Sequence, residues 1–149
     1  NNTNQSFDFA DGVATASFGT ATPKLLEDRN EVWSQEQIDN APDGTSAGDA
    51  QLDSDGNQIV TKGLKTQHKR IIKNQASGLL TDTDWYVIKA TDVESYSVPA
   101  AMTTYRANVR TKSNEMEVLI DACSTVDELA ALYEYTDGSR PLGEWPEEV

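Results

Sequence analysis

The chain has 149 residues, with 25 acidic and 12 basic side chains and a formal net charge of −13. That charge repels nucleic-acid backbone and anionic lipid, so the expected partners include neither nucleic acid nor membrane. Hydrophobic residues are 37% of the chain and aromatics 7%, below a typical globular mix, so part of the length reads as arm and loop. No apolar run approaches the roughly 20 residues that span a bilayer, no signal-peptide pattern opens the chain, and the single Cys123 excludes an internal disulfide.

The first segment, residues 1–61, holds eleven acids against Lys24 and Arg29. Ser6-Phe7-Asp8-Phe9 and Val13-Ala14-Thr15-Ala16-Ser17-Phe18 flank Ala10-Asp11-Gly12. Their alternation predicts two short strands with one apolar face each, joined by the Asp-Gly turn. A lone hairpin is marginal in water, so Phe7, Phe9 and Phe18 are expected to meet another copy or a neighbouring chain. A helix-prone run follows Pro23, and residues 40–49 read as exposed loop. Asp53-Ser54-Asp55-Gly56-Asn57 is a second turn signal, between Gln51-Leu52 and Gln58-Ile59-Val60-Thr61. It opens like a calcium loop, but Gly56 stands fourth rather than sixth and Leu64 takes the place of the closing Glu. The turn reading is the simpler one, and no metal is expected.

Charge reverses at residues 62–73, where Lys62, Lys65, Lys69, Arg70 and Lys73 stand without an acid. Here a helix is expected from Leu64 to about Ser77, with Leu64, His68, Ile71, Ile72, Gln75 and Leu79 on one side. Gly78 is a natural C-cap. Lys65, Lys69 and Lys73 are either a solvated face or an electrostatic dock for an acidic neighbour, including residues 27–55 of this chain. His68 has no second ligand at metal spacing. Nothing forms a triad or a paired-carboxylate site, so no enzyme and no cofactor are expected.

Leu79-Leu80-Thr81-Asp82-Thr83-Asp84-Trp85 closes the first apolar stripe. Trp85 is expected to be buried between two helices, with Leu79, Leu80, Asp84 and Tyr105 organising the same core. Tyr86-Val87-Ile88 is a short apolar run, and Lys89-Ala90-Thr91-Asp92 reads as a connector. Pro99 then starts a helix to about Ala122, carrying Met102, Tyr105, Val109, Met116, Leu119 and Cys123 on a seam that Lys112 interrupts. Arg106 and Arg110, one turn apart, either fork to carboxylates or are ordinary surface charge. Thr125 and Glu128 make a capping box for a last short helix. Trp145, in a Pro-flanked tail, either packs back or anchors in a partner.

The pair Leu79-Leu80-Thr81-Asp82-Thr83-Asp84-Trp85 and Tyr105-Arg106-Ala107-Asn108-Val109-Arg110 resembles the C-terminal domain of bacteriophage tail-fibre assembly chaperones and related short tail proteins. Those proteins run Arg-x-x-Leu-Leu-x-x-(Ser/Thr)-Asp-Trp, a Pro-containing loop, then a helix with Tyr-Arg-x-x-Leu-Arg. Val109 replaces the usual Leu, the aromatic that often precedes Tyr-Arg is absent, and the likeness covers roughly residues 66–133. The expected fold is α+β: a β-rich acidic N-terminal arm with hairpins (1–61), a small helical domain of two long helices and one short (62–134), and a tail (135–149). The resemblance implies a phage tail protein that binds tail-fibre or baseplate components, within a homo-oligomer or a larger assembly. Such a protein sits in the virion tail as a structural adaptor, or acts in the host cytoplasm as a transient assembly chaperone. Phe7, Phe9, Phe18, Lys65, Lys69, Lys73, Arg106, Arg110 and Trp145 are the expected partner-binding residues.

Overall fold

The computed structural model describes residues 23–148, together with the backbone of two strands near the N-terminus. These are β1 (Gln5–Ala10) and β2 (Val13–Phe18), paired antiparallel with Ala10 opposite Val13. Asp11-Gly12, the expected turn, lies outside the described residues. The side chains of Phe7, Phe9 and Phe18 lie outside the described residues.

From Pro23 to Lys62 no residue is buried, and hydrogen bonds rather than a core shape the segment. β3 (Arg29–Asn30) and β4 (Val60–Thr61) pair antiparallel. Beside them three backbone amides close a ring: Glu31 donates to Ile59, Ile59 to Gln51 and Gln51 to Glu31. The side-chain amide of Gln58 adds bonds to the carbonyls of Glu31 and Gln51. Extended structure in residues 23–61 is otherwise limited to isolated bridges. This is narrower than the expected β-rich arm, because side chains satisfy backbone groups that a wider ladder would pair. The turn at Asp53 is present. Its carboxylate accepts from the amides of Asn57 and Asp55, bonds that hold it below the usual carboxylate range.

The body is helical. α1 (Leu64–Thr81), α2 (Asp84–Asp92), α3 (Ala100–Ala122) and α4 (Val126–Ala131) follow in order. α1 and α3 run antiparallel, since Lys69 meets Asp121 at one end and Arg106 meets Leu80 at the other. Ile72, Ala76, Val109, Met116 and Ile120 fill the seam. The expected α1 stripe is rotated: Ile71 faces water, and Lys65, Ile72 and Ala76 point inward. On α3 the interior residue is Ile120 rather than Leu119, and small Ser113 fills the place beside Lys112. A straight helix turns 100° per residue, so Met116 is followed on the core side by the residue four on. Thr125 caps α4, its hydroxyl accepting from Glu128 N while Glu128 reaches back to the amide of Ser124. Leu142 then brings the tail back, fully buried, with its amide bonded to Leu132 O.

Two glycines behave oppositely. α1 begins where residues 25–28 cross it. Leu64 and Lys65 donate to the carbonyls of Leu25 and Leu26, and Gly63 donates to Asp28 at 2.9 Å. Three amides at the helix start, unpaired within the helix itself, are thus satisfied by another segment. The crossing is so close that a Cβ on Gly63 would lie 2.3 Å from the carbonyl carbon of Glu27. Bonds from Lys62 and from the Gly63 amide hold Asp28 down to about 2. Gly78, expected to end α1, lies inside it with open space around the position of a Cβ. Gly63→Ala is expected to destabilise by about 1–3 kcal/mol through overpacking, whereas Gly78→Ala gains roughly 0.5–1 kcal/mol of helix propensity. Urea unfolding midpoints of the two variants should move in opposite directions.

Candidate functional site

The two segments that carry the sequence resemblance meet at Arg106. Its guanidinium, one-tenth exposed, donates to Leu80 O at 2.9 Å, Thr83 Oγ1 at 2.5 Å and Asp84 Oδ1 at 2.7 Å. Thr83 is almost wholly buried, and its hydroxyl donates onward to Leu80 O. A planar fork suits this task because one group reaches three acceptors on the turn between α1 and α2. Arg106 is therefore an internal tie rather than an outward-facing side chain. Arg110 is exposed and donates to the Arg106 carbonyl.

A second cation closes the opposite end of the seam. Lys65 is buried, donating to Glu27 at 2.5 Å and to Asp121 O at 2.9 Å. Lys62 pairs with Asp28, Lys69 with Asp121 and Lys73 with Glu117. Of the two readings of the lysine stripe, the structure shows a dock for acids of this same chain. The acids are Glu27 and Asp28 from the preceding segment and two residues of α3. Trp145 likewise packs back, bridging both halves of the core and donating to Gln75 Oε1 at 3.2 Å.

Trp85 overturns its expected place: it is 49% exposed. Asp84 turns toward Arg106, so the next residue, 100° further round α2, points away from the helix pair. Tyr86 takes the inward position against the core of Ala76, Met102, Tyr105 and Val109, with Leu79 and Leu80 half-buried beside it. Residues 86–92, read as run and connector, are helix. Asp84 in the first turn and Lys89 in the last complement the helix dipole. The apolar run is too short for a helical period to show in sequence.

The outcome is an unusual surface. α2 has no buried residue, yet Trp85, Val87 and Ile88 all face water, Ile88 at 60% exposure. Trp85 stacks on Tyr86 with ring centroids 3.8 Å apart, and the Lys89 ammonium lies 4.4 Å from the Tyr96 ring and 5.8 Å from Trp85. Trp85 was reached from sequence for a different reason, Val87 and Ile88 only as part of a short apolar run, and Thr83 only as part of the motif before Trp85. Among the described residues no group of three or more His, Cys, Asp or Glu is placed to hold a metal. Burial pushes the Cys123 thiol up, which keeps it neutral and unreactive.

His68 Nδ1 lies 2.8 Å from the Tyr133 hydroxyl and joins α1 to the end of α4. Burial, with help from Lys24, lowers its pKa. The neutral ring is thus favoured in the folded state, so its contribution is complete above the unfolded value near 6.5. It is lost as pH falls from there through the lower folded value. The thermal midpoint should drop over that mildly acidic interval, and His68→Gln should flatten this part of the profile. Arg106→Ala is expected to cost about 2–4 kcal/mol, since it strands buried acceptors. Trp85→Ala should cost only about 1 kcal/mol, the worth of one exposed aromatic contact. Chemical denaturation of the two variants measures the contrast.

Comparison with protein-family models, curated proteins and solved structures finds no match to this chain.

Proposed function

We propose that this chain is a phage tail-associated structural or adaptor protein that binds tail-fibre or baseplate protein. The observation that carries the reading is the Arg106 tie. The residues that resemble tail-fibre assembly chaperones are far apart in sequence, yet they form one bonded unit of Leu80, Thr83, Asp84 and Arg106. Tyr105 is buried beside it. One departure from the family pattern is plain: Ala76 stands at the position of its leading Arg and packs in the core. A surface that leaves a tryptophan and two aliphatic side chains of one short helix in water supports a binding role rather than a purely structural core. In this reading the N-terminal arm is β-rich in the assembly, where Phe7, Phe9 and Phe18 and the strand edges find another chain.

Co-expression with the fibre and baseplate proteins of the same phage, followed by size-exclusion chromatography, tests the proposal. A co-migrating complex is expected, lost when residues 1–20 are removed although the helical signal in circular dichroism persists. Absence of any complex with either protein overturns the reading. Mass spectrometry of purified particles separates its two forms, because an adaptor is present at fixed stoichiometry and a transient chaperone is not.

A further inference from the structure

The outer face of α2 has no partner within the described residues, and its chemistry specifies what would cover it. The helix is nine residues long, shorter than the roughly 12–15 residues at which isolated helices become even marginal. Only Tyr86 and Ala90 of its residues turn partly inward as apolar groups, while Trp85, Val87 and Ile88 are left in water. Val93, just past its end, is also exposed. The rim of this apolar strip is acidic. Between Asn74 and Tyr105 the acids are Asp82, Asp84, Asp92 and Glu94, and Lys89 is the single base. Asp84 is held by Arg106, and Lys89 lies over the Trp85 and Tyr96 rings. Asp82, Asp92 and Glu94 make no ion pair among the described residues and are all exposed.

We infer that the face formed by Trp85, Ile88 and Val93 with Asp82, Asp92 and Glu94 docks a protein surface that is apolar at its centre and ringed by Lys or Arg. This deepens the proposed adaptor function and rests on it. Charge decides among occupants. A second copy would bring the same three acids against themselves in a two-fold contact, within a chain already at −13. Anionic lipid and nucleic acid carry the same sign. A basic-rimmed protein surface satisfies both parts of the face, because its apolar centre covers Trp85 and Ile88 while its cations meet acids that make no ion pair among the described residues.

The test uses the full chain and a fluorescein-labelled amphipathic helical peptide with leucine on one face and lysine along its flanks. A second peptide has glutamate in place of lysine. Fluorescence anisotropy is expected to show salt-sensitive binding of the lysine peptide and none of the glutamate peptide. Ile88→Asp should weaken binding at least about tenfold, whereas Val118→Asp, the same change on exposed α3 surface, should leave it unchanged. Asp92→Lys with Glu94→Lys should weaken it more than the equal charge change at exposed Asp43 and Asp55, which guards against a general attraction to an acidic protein. Equal binding by Ile88→Asp, or equal loss from the two charge reversals, overturns the inference. So does absence of binding to the lysine peptide, a dimer in sedimentation that Ile88→Asp disperses, or parent binding to phosphatidylcholine vesicles. If a fibre or baseplate complex forms and survives Ile88→Asp, this face is wrong and the adaptor function stands. If the peptide binds here but neither tail protein does, the face stands and the tail assignment fails.

Discussion

The antiparallel packing of α1 on α3 is the contact on which the rest of the molecule depends, and a buried cation closes it at each end. Lys65 meets Glu27 and the Asp121 carbonyl at one end, and Arg106 meets Leu80, Thr83 and Asp84 at the other. Between them lie Ile72, Ala76, Val109, Met116 and Ile120. The apolar seam supplies most of the favourable free energy, because it removes the largest continuous area from water. The cations supply register. A buried charge without its acceptors is costly, so a slip of one helix past the other is penalised at both ends simultaneously.

Each cation also recruits a segment that has little core of its own. Lys65 holds residues 25–28 across the start of α1, where those residues satisfy the helix's free amides and where only glycine fits at position 63. Arg106 holds the turn at Thr83 and so sets the direction of α2. The tail joins from a third side through Leu142 and Trp145. The attached segments differ in what they expose. Residues 23–62 are shaped by backbone and glutamine hydrogen bonds and hold no fully buried residue, although Leu26 packs against the core, while α2 carries a concentrated apolar strip outward. A short helix fixed at one end by a buried guanidinium presents that strip in one orientation, which lowers the ordering cost of binding.

The same geometry explains why basic residues, conspicuous in sequence, are poor guides to a partner here. Lys65, Lys69 and Lys73 form a stripe on α1 with Lys62 just before it, and each meets an acid of this chain. Among the described residues Asp82, Asp92 and Glu94 are among the acids that this pairing leaves without a cation, and they are the ones that lie beside the exposed apolar residues of α2. The functional reading therefore moves from the cations to the acidic rim, and from the aromatic residue as core to the same residue as surface.

Much of the local structure was legible in the sequence because it depends on neighbours in the chain. The Asp53 turn, the start of α3 after Pro99 and the Thr125–Glu128 cap each follow from residues within a few positions of one another. The α1–α3 pairing was legible too, because a seam of three- and four-residue steps persists over several turns. Tertiary structure alone decided which edge of each stripe faces inward, since Ile71 and Ile72, or Leu119 and Ile120, differ by one 100° step that composition does not resolve. It also decided the fate of Arg106 and Trp85. Their roles depend on where Thr83 and Asp84 lie after the chain has turned back, a relation between segments more than twenty residues apart. The sequence could name the residues that meet, but only the fold set which of them the meeting buries and which it turns toward solvent.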